Sequence, residues 1–330
     1  MLDSLMVSIP EYFASLKFTA LLRALPGGVA QGLIWGVLAL GVFLTFRMLG
    51  VSDLTVDGSM ATGGAVCIML VLAGVNPQLA LLASFLAGMA AGVITGFLHT
   101  RLGIPDILAG ILTQISLYSI NLNIMGKANQ AVNVNKVAFL FSSNAKLLTR
   151  TIWIVLGVCV ALVVALYLYL GMEHGSALRA TGINGNMARA QGINTNRMKV
   201  IGLALSNGLV ALSGGIMSQY QGFADVKMGT GAIVIGLAAV IIGEVLGEAL
   251  VGRHMNFMVR LAFVVLGSVI YYVVYVFVLW LKFPPDDMKL LTAVVVAIFL
   301  AVPNLRAAKR NSFGRIAKQN AKAARHSQEG

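Results

Sequence analysis

The chain has 330 residues, 58% hydrophobic and 11% charged, with 36 glycines, a mean hydropathy of +0.87 and a net charge of +12. That balance is too apolar for a soluble domain of this size and marks an integral membrane protein. The positive excess concentrates in the C-terminal tail and in short connections, where anionic headgroups account for it, so nucleic-acid binding is set aside and the lipid bilayer is the implied partner.

Taken in chain order, residues 1–26 carry Asp3 and Glu11, no basic start and no small-residue cleavage site. They read as an amphipathic interfacial segment and not as a secretory signal, broken at Pro26-Gly27-Gly28. Runs of roughly 20 apolar residues, enough to cross a hydrocarbon core as helices, follow near 27–47, 59–75, 78–98, 107–126, 151–172, 199–219, 231–250, 258–281 and 288–304. The expected fold is an all-α polytopic helical bundle of about nine spans, with eight to ten compatible with the pattern. The expected organisation is an N-terminal segment 1–26, a membrane domain 27–304 with a polar segment at 173–199, and a basic disordered tail 305–330.

Four places in these spans stand out from the apolar background. In VSDLTVDGSMATGGA, 51–65, Asp53, Thr55 and Asp57 alternate before a glycine-rich helix start. Asp57 either caps the helix beginning near Ser59 or joins Asp53 and Thr55 in a translocation path. In the third span Gly88, Gly92 and Gly96 form a small-residue edge suited to close helix approach. The fourth span holds Gln114, Ser116, Tyr118, Ser119, Asn121 and Asn123. Spacings of 4 and 3 put Gln114, Tyr118 and Asn121 on one face, which either lines a substrate path or hydrogen-bonds to neighbouring helices. The seventh span carries Glu244 and Glu248 one turn apart. Pairing or partner contact is the first reading of these carboxylates, and an ion-coupled secondary transporter is the alternative. Cys67 and Cys159 lie in apolar spans and read as buried small hydrophobes. The sequence offers no phosphate-binding loop, metal cluster or catalytic constellation, so no cofactor, metal or enzymatic role is expected of this chain.

Between the fifth and sixth spans lies a polar insert, GSALRATGINGNMARAQGINTNRMK, 175–199, with Gly-Ile-Asn at 182–184 and again at 192–194. In each copy the glycine suits the residue just past a helix end and the asparagine suits an N-cap. The insert is therefore expected to be a short docked helix within 176–191. Most of the 24 lysines and arginines fall on the side of this insert and the tail, which makes that side cytoplasmic by the positive-inside rule.

These segments resemble the permease subunits of bacterial ABC importers in the branched-chain amino acid and ribose permease superfamily. GGVAQGLIWGVLALGVFLTFRMLGVSDLTVDGSMATGGA is similar to the family's first span and glycine-rich second span. ALRATGINGNMARAQGINTNRMKVIGLALSNGLVALSGGI is similar to its coupling segment and the helix after it. LYSINLNIMG with VIIGEVLGE most resembles the subgroup typified by tryptophan and tyrosine permeases. The resemblance implies a second permease chain, in a homodimer, with the path near the interface. It also implies a separate cytoplasmic ABC ATPase that binds the ATP, an extracytoplasmic substrate-binding protein, the bacterial inner membrane, and an amino-acid substrate, aromatic on the narrower reading. Leu178, Ile183 and Met187 would then fill the ATPase groove, Arg179 and Arg189 would meet its acidic groups, and Gly182 and Asn184 would shape the segment. Relatives have eight or ten spans, against about nine here.

Overall fold

The computed structural model describes residues 18–132, 139–143, 147–252 and 255–281, with isolated positions beyond 289. Residues 1–283 make one compact unit and 284–330 another. Apart from those isolated positions, the ninth expected span and the tail 305–330 lie outside the described residues, as do residues 1–17.

Eight described helices are long and apolar enough to cross a membrane, and they coincide with the first eight expected spans. They are α1 (Phe18–Phe43), α2 (Thr55–Leu72), α3 (Pro77–Thr100), α4 (Asp106–Met125), α5 (Leu148–Gly171), α8 (Thr195–Gln221), α9 (Ala232–Leu250) and α10 (Phe257–Trp280). Two short helices, α6 (Glu173–Ile183) and α7 (Gly185–Ala190), lie between α5 and α8. A two-stranded antiparallel ribbon pairs β1 (Asn129–Ala131) with β2 (Phe223–Asp225), Gln130 opposite Ala224, at the other end of the bundle.

The break expected at Pro26-Gly27-Gly28 is absent: α1 runs through Pro26. Proline removes one backbone hydrogen bond, yet membrane helices tolerate it when neighbours hold the chain in place. Here α10 does so, because Gly28, Gly32 and Gly36 let it approach. A Cβ on Gly28 would stand 2.5 Å from Val276 Cγ2, and one on Gly36 2.9 Å from Ser268 Oγ. Helix α1 ends in a π-helical stretch, Leu44–Leu49, closed by Gly50 at φ 66°.

The helices pack as two groups of four. In the first, α8 is the centre, with α2 and α3 against it and α4 against α2; in the second, α1 packs on α10, α9 and α5, and α9 on α10. Apolar side chains gain little by leaving lipid for protein, so close backbone approach and hydrogen bonds hold such groups together. The ladder on α3 serves this purpose: Gly88 lies on the Asn207 backbone, Gly92 on Leu203 and Gly96 on Val200, descending α8 one turn at a time. Gly63 and Gly214 do the same where α2 crosses α8, against Ala211 and Met60. The groups meet along α1 and α8, where Ser206 Oγ donates to the Gly41 carbonyl at 2.7 Å and Ser213 Oγ to the Ile34 carbonyl at 2.8 Å.

Candidate functional site

The polar insert folds as two helices with a corner at Asn184, not as one helix. Asn184 caps α7 by accepting from the Met187 N–H at 3.1 Å, and Asn194 caps α8 by accepting from the Arg197 N–H at 3.1 Å. Gly192, at φ 81°, ends α7. Gly182 has a different task from the one its tripeptide suggests. It lies inside α6, and its missing side chain lets α6 touch the Met48 and Leu49 backbone in the π-helical stretch. Leu178 is fully buried, near the position a Cβ on Gly202 would take and beside Leu49. It packs inward and is not a free anchor.

The two arginines also find partners within the chain, Arg179 half-buried and Arg189 exposed. The Arg179 guanidinium lies 5.9 Å from the centre of the Phe257 ring at the start of α10 and donates to Ser176 Oγ at 3.3 Å. Arg189 Nε donates to Thr195 Oγ1 at 2.7 Å, tying α7 to α8. At the foot of α8, Lys199 Nζ lies 3.0 Å from His99 Nε2, while His99 Nδ1 lies 2.9 Å from the Ile104 carbonyl. The carbonyl can only accept, so Nδ1 carries the proton and Nε2 accepts from the lysine. With the insert fastened at these points, Ile183 and Met187 protrude, 86% and 63% exposed.

Of the candidate path residues, Asp53 and Thr55 are buried in a closed hydrogen-bond network. Asp53 Oδ1 accepts from the Thr55 N–H at 2.9 Å and so caps α2; Asp53 Oδ2 accepts from Asn207 Nδ2 at 2.6 Å. Ser59 Oγ donates to Asn207 Oδ1 at 2.6 Å. Thr55 Oγ1 lies 2.8 Å from Thr95 Oγ1, and Thr95 donates to Thr113 Oγ1 at 3.0 Å. Thr113 also donates to the Ala109 carbonyl, and the three hydroxyls in contact bind α2, α3 and α4. Burial pushes the Asp53 carboxyl pKa up, partly offset by the Thr55 and Asn207 donors. The sequence reading missed Ser59, Thr95, Thr113 and Asn207. Its available signal was a carboxamide in the middle of the sixth span.

Asp57 does not cap its own helix. That helix starts at Thr55, and the Asp57 carboxylate instead receives the Gly231 N–H at 2.9 Å and the Ile233 N–H at 3.0 Å, capping α9. The face of α4 is divided: Asn121 is fully buried, Gln114 half-buried and Tyr118 exposed. Seven residues bring Gln114 and Asn121 almost into line, while Tyr118 is turned about 40° towards the outside.

Glu244 is paired. Its Oε1 lies 2.9 Å from Arg47 Nε and 3.7 Å from Arg260 Nε, joining α9 to the π-helical stretch and to α10, while Glu248 is exposed. Partly exposed pairs of this kind contribute about 1 kcal/mol or less. Glu244→Gln is therefore expected to lower the unfolding midpoint of the purified protein by roughly 4 °C at most, measured by differential scanning fluorimetry; a fall several times larger would give the pair a greater structural role.

The profile of the family described as branched-chain amino acid transport system permease component matches residues 25–302. The tyrosine transport system permease protein of Clostridioides difficile (strain R20291) is 36% identical over 277 residues, 84% of this chain and 90% of that protein. An uncharacterised protein of Rickettsia prowazekii (strain Madrid E) is 32% identical over 183 residues, 55% of this chain and 62% of its own length. Among solved structures, PsaBC from Streptococcus pneumoniae in complex with Fab has a similar fold, with a TM-score of 0.53 and 15% identity over 92% of this chain and all of that one. The eight spans, the anchored insert and the match over most of the chain agree: this multi-pass membrane protein belongs to the permease family of branched-chain amino acid transport systems.

Proposed function

We propose that the chain is the translocation subunit of an ATP-driven ABC importer in the bacterial inner membrane. In this reading a second copy completes the path, an extracytoplasmic binding protein delivers substrate, and a separate ATPase docks on the insert. The insert and the C-terminus face the cytoplasm, ATP is bound by the partner, and this chain holds no cofactor and catalyses no reaction. The similarity to a tyrosine transport system permease favours an amino-acid substrate, aromatic on the narrower reading.

The insert carries this reading. An exposed apolar pair on a segment otherwise braced against the bundle is the arrangement a partner's groove would use, because water leaves Ile183 and Met187 on docking while the brace transmits the load. The load would pass from Gly182 to the end of α1 and from Arg179 to the start of α10. Replacing both exposed residues, Ile183→Asp with Met187→Asp, is expected to cut co-purification of the ATPase and ATP-driven uptake at least tenfold. The unfolding midpoint should stay within about 2 °C of wild type, since exposed positions contribute little to stability. Undiminished co-purification and uptake by the double variant would overturn the docking assignment.

A further inference from the structure

Helix α9 begins inside the bundle. After β2, the segment from Val226 to Gly231 turns back along α2: Met228 reaches Gly64, and Gly229 lies on the Asp57 backbone. Asp57 is 15 residues, about 22 Å of helix, from the end of α2 nearest the ribbon. Its neighbour Ser59 bonds Asn207, near the middle of α8. The first N–H groups of α9 are thus held at mid-depth, where a helix end needs partners from the protein. The N-cap Gly231, at φ 85°, has no side chain to offer, and the Asp57 carboxylate takes its N–H and that of Ile233. Negative charge is also favourable at that end of the helix dipole.

This contact has an unusual place between the two groups of helices. Along α1 and α8 the groups meet through an extended seam of glycine and serine contacts. Helices α2 and α9 meet more sparsely, and the Asp57 bonds are central to that meeting. Asp57 is only partly buried, so its two bonds are not locked inside a packed core. Separating α2 from α9 therefore disturbs far less than separating α1 from α8.

Resting on the importer reading, we propose that Asp57 is a positioning residue that latches α9 to α2, and that this joint opens and closes during transport while the α1–α8 seam persists as the axis. Two experiments test it. In a background with Cys67 and Cys159 replaced by alanine, Gly64→Cys with Met228→Cys places two thiols across the joint; a Cβ on Gly64 lies 2.5 Å from Met228 Sδ. In the full complex in proteoliposomes, oxidation should reduce ATP-driven uptake at least tenfold and dithiothreitol should restore it. Normal uptake with the cross-link verified by mass spectrometry overturns the moving joint.

The second experiment follows maleimide labelling of Ala232→Cys, a fully buried position, in the purified chain and in the vanadate-trapped complex. Labelling should rise at least fivefold with Asp57→Ala, stay near the parent level with Asp57→Ser, which can still cap, and rise on trapping without any change at 57. A rise with Asp57→Ala but none on trapping overturns the moving joint and leaves a fixed cap; no rise in either overturns the latch. If the reduced parent shows no ATP-driven uptake, the importer reading fails, and labelling of the purified chain still decides whether Asp57 positions α9.

Discussion

Gly182→Val is expected to abolish coupled transport. A Cβ at 182 overlaps the Met48 carbonyl oxygen, and Leu49 backbone lies next to it. The obstruction is backbone on both sides, so no side-chain rotamer relieves it; α6 must lift from the end of α1 or the π-helical stretch must shift. Overpacking of this kind costs about 1–3 kcal/mol, and here the cost falls on the brace between the insert and the membrane helices. Uptake in proteoliposomes should fall at least tenfold. Gly185→Ala, three residues on, is the control: a Cβ there meets nothing within 4 Å, and alanine favours the helix it opens. It should transport like wild type. Equal behaviour of the two variants would show that the insert is not braced through Gly182.

The same insert shows how far sequence reasoning reaches. Asn184 and Asn194 were legible as N-caps because the capping bond is local, from a side-chain oxygen to an N–H three residues on. Gly192 was legible for the same reason. Gly182 sits in an identical tripeptide, but what requires a glycine there is the backbone of residues 48 and 49, and nothing within the insert encodes that. Asp57 repeats the lesson. An aspartate before a glycine-rich helix is recognisably a cap, yet Asp53 already caps α2, and the first N–H that Asp57 takes lies 174 residues later, at the N-cap of α9. The pattern reveals that a carboxylate has donors to satisfy; only the fold reveals which. Along α4 the three-and-four spacing correctly put polar groups on adjoining turns, but a face in sequence spans both buried and exposed surface, so Asn121 and Tyr118 part company. Spans were the most legible feature because a long apolar run has few alternatives to crossing the bilayer. Pro26 was misread for want of α10, whose packing against the glycines beyond it supports the helix.

Asn207→Leu is expected to destabilise the bundle core strongly. Its carboxamide is fully used: Nδ2 donates to Asp53 Oδ2 and to the Leu203 carbonyl, and Oδ1 accepts from Ser59 Oγ. That accounting also fixes the orientation of the amide, since the reversed one would aim its oxygen at a carboxylate. Leucine of similar volume strands Asp53 Oδ2 and Ser59 Oγ in a fully buried site, at about 1–3 kcal/mol for each lost partner and more for a charged one. The unfolding midpoint of the purified chain should drop on the order of 10 °C. Asp53→Asn should do less. The new amide can keep its oxygen towards Asn207, which leaves one N–H of residue 53 opposed to the Thr55 N–H, a single conflict at the end of α2. The order wild type, Asp53→Asn, Asn207→Leu in falling stability would identify the hydrogen-bond network as a principal tie between α2 and α8. Wild-type stability in Asn207→Leu would instead assign that role to the glycine crossings at Gly63 and Gly214, where the two backbones already touch.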